Sequence, residues 1–179
     1  MSTSQDRLAG LPAGAALFAY GTLQFTEILG VLLGRLPEHR PGAAPGWRAA
    51  ALAGRVYPGL VRAGATVTGQ LITGLTAEEL RVIDEYESGP YELVRLSLDD
   101  GREGWTYAWT ERSAVLPDDW SAGDFAGRHL ADFAESCRVW REAFEAAGRT
   151  SLGLHRAHDP GGRGLLGRAR TSKATCGVR

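Results

Sequence analysis

A continuous apolar run, Ala15-Ala16-Leu17-Phe18-Ala19-Tyr20, ends abruptly at Gly21-Thr22 and sets the terms for everything around it. A run of this length with no polar face has to be covered on both sides. Periodicity alone admits a central strand or a short buried helix, and the central strand is the expected form. The covering layers are available within one domain, because the chain has 179 residues of which 44% are hydrophobic.

The rest of the chain divides by its turn residues. After the glycine turn, Thr26 is placed to cap a helix in which Ile28, Leu29, Leu32 and Leu33 share a face. Residues 37–45, rich in Pro and Gly, read as a loop. Strand-like pieces follow at 47–52 and 67–73, with Pro58-Gly59 marking the stretch between them as a loop or an edge. Thr76 and Glu79 carry a capping-box signature for a helix running to about Glu87, before Gly89-Pro90. Residues 93–98 and 105–109 alternate around Asp99-Asp100-Gly101 and predict a hairpin. Residues 124–147 predict one long helix, with Phe133, Cys137, Trp140 and Phe144 at helical spacing and Gly148 as its stop. Strands and helices mix without a βαβ repeat. The expected class is therefore α+β, a small mixed barrel or curved sheet with packed helices. The expected layout is a flexible leader over 1–14, a domain over 15–148 and a basic, disordered tail over 149–179.

Charge and cysteine usage narrow the function classes. Residues 149–179 hold seven Arg or Lys against Asp159 alone, which leaves 13 basic and 20 acidic residues in the rest. An acidic body argues against nucleic-acid binding by the domain itself. No stretch approaches the length of a membrane span, and the first residues lack a secretory pattern, so a cytoplasmic protein is expected. Cys137 lies in a helical pattern and Cys176 in the tail, which is poor material for a disulfide. His155, His158 and Asp159 lie in the tail without cysteine partners, and a solvated tail is expected there rather than a zinc site. Gly161-Gly162-Arg163-Gly164 follows no strand, so it is not read as a phosphate loop. His129, Trp105, Trp109, Trp120 and Trp140 read as surface or packing residues. No metal or cofactor is expected.

Two places carry candidate chemistry. At about 100° per residue, Leu80, Val82, Ile83 and Tyr86 share the apolar half of the helix, with Glu78 and Glu85 opposite. Glu87 falls beside Leu80 and Ile83, at the helix C-terminus. Desolvation and the negative end of the helix dipole both disfavour an anion there, which suits a group that exchanges protons during catalysis. The alternative is that Glu87 frays into solvent, and Asp84, at the boundary of the apolar face, either assists it or is simply solvated. The turn Tyr20-Gly21-Thr22-Leu23 is the second place. Gly21 lets the backbone approach a ligand closely, and the amides that follow can bind a carboxylate or a developing oxyanion. The alternative is an ordinary glycine turn.

In their order along the chain, these pieces resemble a known family. Phe18-Ala19-Tyr20-Gly21-Thr22-Leu23, Arg55-Val56-Tyr57-Pro58-Gly59-Leu60, Val67-Thr68-Gly69-Gln70-Leu71 and Ile83-Asp84-Glu85-Tyr86-Glu87-Ser88 with Tyr91 are similar to the collinear motifs of the gamma-glutamylcyclotransferase superfamily. The branch is the one related to plant avirulence-induced proteins and gamma-glutamylamine cyclotransferases. The resemblance spans roughly residues 16–147. It implies a mixed β-barrel-like fold, no cofactor, and a small gamma-glutamyl substrate converted to 5-oxoproline and a free amine. It also implies Glu87 as the catalytic acid/base, Tyr20 to Leu23 as the anion-binding loop, and Tyr57 and Tyr91 near the pocket. Ser88 stands where many relatives have Gly, and gamma-glutamylamine relatives also tolerate Ser there. A non-catalytic small-molecule binding module on the same fold is the alternative, and a carrier for the basic tail is a third reading.

Overall fold

The computed structural model describes residues 7–156. Chain order is β1 (Leu17–Ala19), a 3-10 turn (Thr22–Gln24), α1 (Thr26–Leu33), β2 (Glu38–Leu52), β3 (Gly59–Thr73), α2 (Ala77–Tyr86), β4 (Tyr91–Ser97) and β5 (Glu103–Trp109). A second 3-10 turn (Arg112–Ala114), β6 (Val115–Asp119), α3 (Ala122–Arg128) and α4 (Leu130–Arg156) complete it. The expected α+β class with a curved sheet is what forms.

The apolar run is a strand, and it is central. The sheet order is β4-β5-β1-β3-β2-β6, with β1 antiparallel to β3 and parallel to β5. Because β1 has only three residues, β5 passes its end and also pairs directly with β3, at Leu60 and Ala108. The sheet curls further where the β4–β5 hairpin reaches the far side of β2: Asp99 N donates to Ala43 O at 2.9 Å and Arg102 donates to Pro41 O at 2.7 Å.

Tight curvature needs room, and glycines supply it around Phe18. A Cβ on Gly42 would sit 2.8 Å from Leu98, one on Gly104 2.7 Å from Leu71, and one on Gly69 2.3 Å from the Ala19 carbonyl oxygen. Phe18, Leu71, Leu96 and Leu98 fill one cluster on the inside of the curl. On the other face, Ile28, Leu29 and Leu32 of α1, Val82, Ile83 and Tyr86 of α2, and Phe133, Cys137 and Trp140 of α4 form the larger core with Leu17, Ala19 and Ile72. Cys137 is buried, with its Sγ 3.3 Å from the Tyr86 hydroxyl. Among the described residues, no helix is long and apolar enough to cross a membrane.

Several local expectations need correction. Residues 37–45 are mostly strand: β2 starts at Glu38 and pairs continuously with β3 as far as Pro45 and Thr66. Among the described residues no strand lies on the outer side of this stretch of β2, and an edge tolerates proline because only alternate amides face the neighbour. Gly46, at φ 82°, marks the register shift that follows. Likewise β3 starts at Gly59, so the piece read as 67–73 is the second half of a longer strand. Thr26 is the first residue of α1 rather than its cap, which is Phe25 with no side-chain bond. The helix read over 124–147 is two helices, broken at His129 (φ −129°, ψ −21°). Nor does it stop at Gly148, because α4 runs on to Arg156. Gly148 is not among the glycines of positive φ, whereas Gly34, at φ 72°, does end α1. His158, Asp159, residues 161–164 and Cys176 lie outside the described residues.

Gly69→Ala should lower the unfolding free energy by about 3 kcal/mol, since the atom blocking the new methyl is backbone and cannot rotate away. Gly64, whose added Cβ would meet nothing within 4 Å, is the control: Gly64→Ala should change stability by less than about 0.5 kcal/mol. Urea denaturation of both variants checks this, and equal midpoints would refute the packing account.

Candidate active site

The end of β1 and the end of α2 meet at a narrow cleft. Tyr20, Gly21, Thr22, Leu23, Glu87, Thr106 and Tyr107 line it together with β1. It encloses about 270 Å³ including its mouth. A larger open groove of about 830 Å³, its mouth likewise included, lies elsewhere, beside Trp47, Arg62, Arg95 and Glu103. There the Arg95 guanidinium pairs with Glu103 and Arg62 stacks 3.9 Å over the Trp47 ring. That groove contains no buried carboxylate, so the smaller cleft is the candidate site.

Local rules explain how each wall is presented. Beyond Ala19 the chain leaves the ladder and turns through Thr22–Gln24, with Gln24 N donating to Gly21 O at 3.1 Å and the Gln24 side chain donating to Tyr20 O at 2.7 Å. Amides at the head of such a turn have no acceptor within it, and here they belong to residues that line the cleft. Gly21 is closely packed: a Cβ there would lie 3.0 Å from Pro58 Cγ. Thr22 offers more than the backbone amide expected of it. Its hydroxyl is fully buried with no hydrogen-bond partner among the described residues.

Glu87 caps the C-terminus of α2, its amide donating to Ile83 O at 2.8 Å. The capping box forms as expected at the other end, between Thr76 and Glu79. Glu87 does not fray: only 3% of its surface is exposed. Nor is Asp84 solvated. It is completely buried and accepts from the Tyr107 hydroxyl at 3.0 Å and from Arg7 at 3.2 Å.

Tyr57 and Tyr91 are not among the residues lining the cleft. The Tyr91 hydroxyl donates to Pro58 O at 3.2 Å, and its ring meets Trp109 edge-on at 5.0 Å. The Tyr57 hydroxyl accepts from Arg55 at 2.8 Å. Tyr91 thus holds the turn whose Pro58 lies against Gly21, and Tyr57 is part of that turn. Arg7 and Tyr107 escaped the sequence reading. Nothing local couples Arg7 to a residue 77 positions away, and Tyr107 signalled only an alternating core face. Among the described residues, no group of three or more His, Cys, Asp or Glu is placed to hold a metal ion.

Three phenols around the cleft are shifted well above the usual tyrosine range. For Tyr20, burial is the main cause, followed by the charge of Glu87, with the bond from Leu60 N opposing. Tyr91 is raised by burial and then by Tyr20 and Glu87. Tyr107 is raised by burial, then by Asp84 and Glu87. Each phenol holds its proton more tightly in the folded than in the unfolded chain. Their contribution to stability is therefore intact below about pH 10, and it is lost progressively as pH rises above that value. Urea titrations from about pH 9 to about pH 11 should show stability falling with pH, and Tyr20→Phe should flatten that decline by up to about 1.4 kcal/mol per pH unit. An unchanged slope would show that the Tyr20 phenol is not shielded.

Comparison with known proteins places these features in a family. Residues 17–126 match the family described as gamma-glutamyl cyclotransferase, AIG2-like. AIG2-like protein C of Arabidopsis thaliana is 36% identical over 133 residues, covering 70% of this chain and 77% of the relative. AIG2-like protein D of the same organism is 30% identical over 143 residues, covering 75% of this chain and 94% of the relative. A solution structure of an Arabidopsis thaliana protein shares the fold with a TM-score of 0.55 at 23% identity, covering 87% of this chain and 90% of that one. The matched span contains both the Tyr20–Leu23 turn and Glu87, and on these likenesses the chain belongs to the gamma-glutamyl cyclotransferase, AIG2-like family.

Proposed function

We propose that this chain is a cyclotransferase that converts a gamma-glutamyl amine or peptide to 5-oxoproline and the free amine. The observation that carries the reading is the buried carboxylate of Glu87 sharing one cleft with the Tyr20–Leu23 turn. The free α-amine of the glutamyl unit attacks the side-chain carbonyl of the same unit, closing a five-membered lactam as the second amine leaves. Because attack is intramolecular, the protein's main task is to hold a near-attack conformer. Well-oriented internal reactions reach effective molarities of about 10⁵–10⁸ M.

Glu87 takes a proton from the attacking ammonium and returns one to the leaving nitrogen. The amides of Gly21, Thr22 and Leu23 grip the α-carboxylate or the carbonyl oxyanion, and the unpartnered Thr22 hydroxyl adds a donor in the same wall. Tyr91 supports this wall through Pro58, in the same turn as Tyr57. Tyr20, Tyr91 and Tyr107, held protonated, line or back the cleft as neutral groups and add no negative charge beside an anionic substrate.

The test is release of 5-oxoproline across a panel of gamma-glutamyl amines and dipeptides, with Glu87→Gln alongside. The native chain should turn over at least one member, and Glu87→Gln should lose about 10²–10⁴-fold in kcat while keeping its circular dichroism spectrum. Equal turnover by the two proteins would remove Glu87 from the mechanism. Saturable binding of a gamma-glutamyl compound without turnover would establish the binding-module alternative instead.

A further inference from the structure

The segment that presents Glu87 begins at Asp84 in the last turn of α2 and ends at Tyr91, the first residue of β4. Between them lie Ser88, Gly89 at φ 139° and Pro90, a stretch with no regular ladder of its own. One side chain ties both ends. Arg7 donates to Asp84 O at 3.0 Å, to Asp84 Oδ2 at 3.2 Å and to Tyr91 O at 3.3 Å. We propose that Arg7 is a positioning residue, whose guanidinium closes the loop from Asp84 to Tyr91 and so sets where the Glu87 carboxylate stands in the cleft. This rests on the cyclotransferase reading for its effect on catalysis, though not for its effect on the loop.

Burial makes the tie obligatory. The Asp84 carboxylate is completely enclosed and the Arg7 side chain is only 15% exposed. A charge in that position is stable only when paired and hydrogen-bonded, and losing one partner leaves the other uncompensated. The second partner of Asp84 is Tyr107, which itself lines the cleft and whose carbonyl accepts from Tyr20. Arg7 thus joins α2, β4 and, through Asp84, the cleft wall on β5. The planar fork of a guanidinium can address two carbonyls and a carboxylate together, and an ammonium cannot do so in one geometry. Arg7 also precedes residues 17–126, the span matched to the family. The cation for an aspartate inside that span thus comes from a residue before it.

The experiment compares Arg7→Ala, Arg7→Lys, Asp84→Asn and the double variant Arg7→Ala/Asp84→Asn. It measures kcat and KM for 5-oxoproline release, and amide hydrogen exchange across the chain. Arg7→Ala should lower kcat by roughly 10- to 100-fold, the scale of an ångström-sized misplacement of a reacting group, with KM changed by less than about threefold. Exchange should quicken in peptides covering 84–91 and not in β2 or β3. Arg7→Lys should recover only part of kcat. The losses from Arg7→Ala and Asp84→Asn should be less than additive in the double variant, since one acts through the other. Where Arg7→Ala alone fails to fold, the double variant, which removes both charges, keeps the comparison open. Unchanged kcat with unchanged exchange at 84–91 would overturn the proposal, and so would faster exchange spread evenly over the whole domain. If the native chain releases no 5-oxoproline, the cyclotransferase reading fails and the exchange pattern alone decides whether Arg7 holds the loop.

Discussion

The Tyr20 hydroxyl stands where β1 runs out, and the geometry of the cleft follows from it. Past Ala19 the neighbours of β1 would face each other with unpaired backbone groups. The phenol fills that place, accepting from Leu60 N on β3 at 3.2 Å and donating to Tyr107 O on β5 at 2.9 Å. Buried amides and carbonyls left unpaired cost on the order of 1–3 kcal/mol each. A side chain that satisfies one of each therefore allows the strand to stop after three residues. The backbone released by that stop becomes the turn at Thr22–Gln24, whose residues line the cleft instead of bonding in the sheet.

The same economy runs through the sheet around it. Phe18 sits inside the curl among three glycines: a Cβ on Gly69 would crowd its ring at 3.0 Å, and those on Gly42 and Gly104 would run into Leu98 and Leu71 packed beside it. With the sheet curled this tightly, the hairpin end at Asp99 reaches β2, and β4 and β5 come round to face α2. Glu87 meets the turn because two separate consequences of a short β1, the early turn and the β5–β3 contact, fall at the same end of the strand.

Much of this was legible in the residues, where the deciding physics is local. The apolar run, the Thr76–Glu79 capping box and the turn at Asp99-Asp100-Gly101 are short-range signals, and each forms as expected. The failures share one cause. Pro41 and Pro45 break a strand in isolation, but among the described residues no strand pairs with the outer edge of β2 there, and the hairpin end that reaches it brings donors to Pro41 O and Ala43 O rather than a demand for the missing N–H. Gly148 is a helix stop only if its backbone turns left-handed, and it does not. His129, unremarkable as a residue, interrupts the helix between Phe125 and Phe133, whose rings meet edge-to-face at 5.3 Å. Sequence periodicity has no access to what stands on the other side of an element.

Asp84 and Glu87 show how far that limit reaches into function. Three positions apart, they lie on neighbouring parts of one helical face, and both are carboxylates carried into the interior, at 0% and 3% exposure. Their surroundings separate them. Asp84 meets a guanidinium from residue 7 and a phenol from residue 107, and its charge is spent on joining three elements. Glu87, one turn later, faces the turn that follows β1 and lines the cleft. Periodicity could mark this face as apolar and note that acids interrupt it, but the division of labour between the two acids depends on Arg7 and Tyr107, which the fold brings from opposite directions along the chain. Glu87 stands among the residues of the cleft, and the segment that carries it there leaves the helix at the turn holding Asp84.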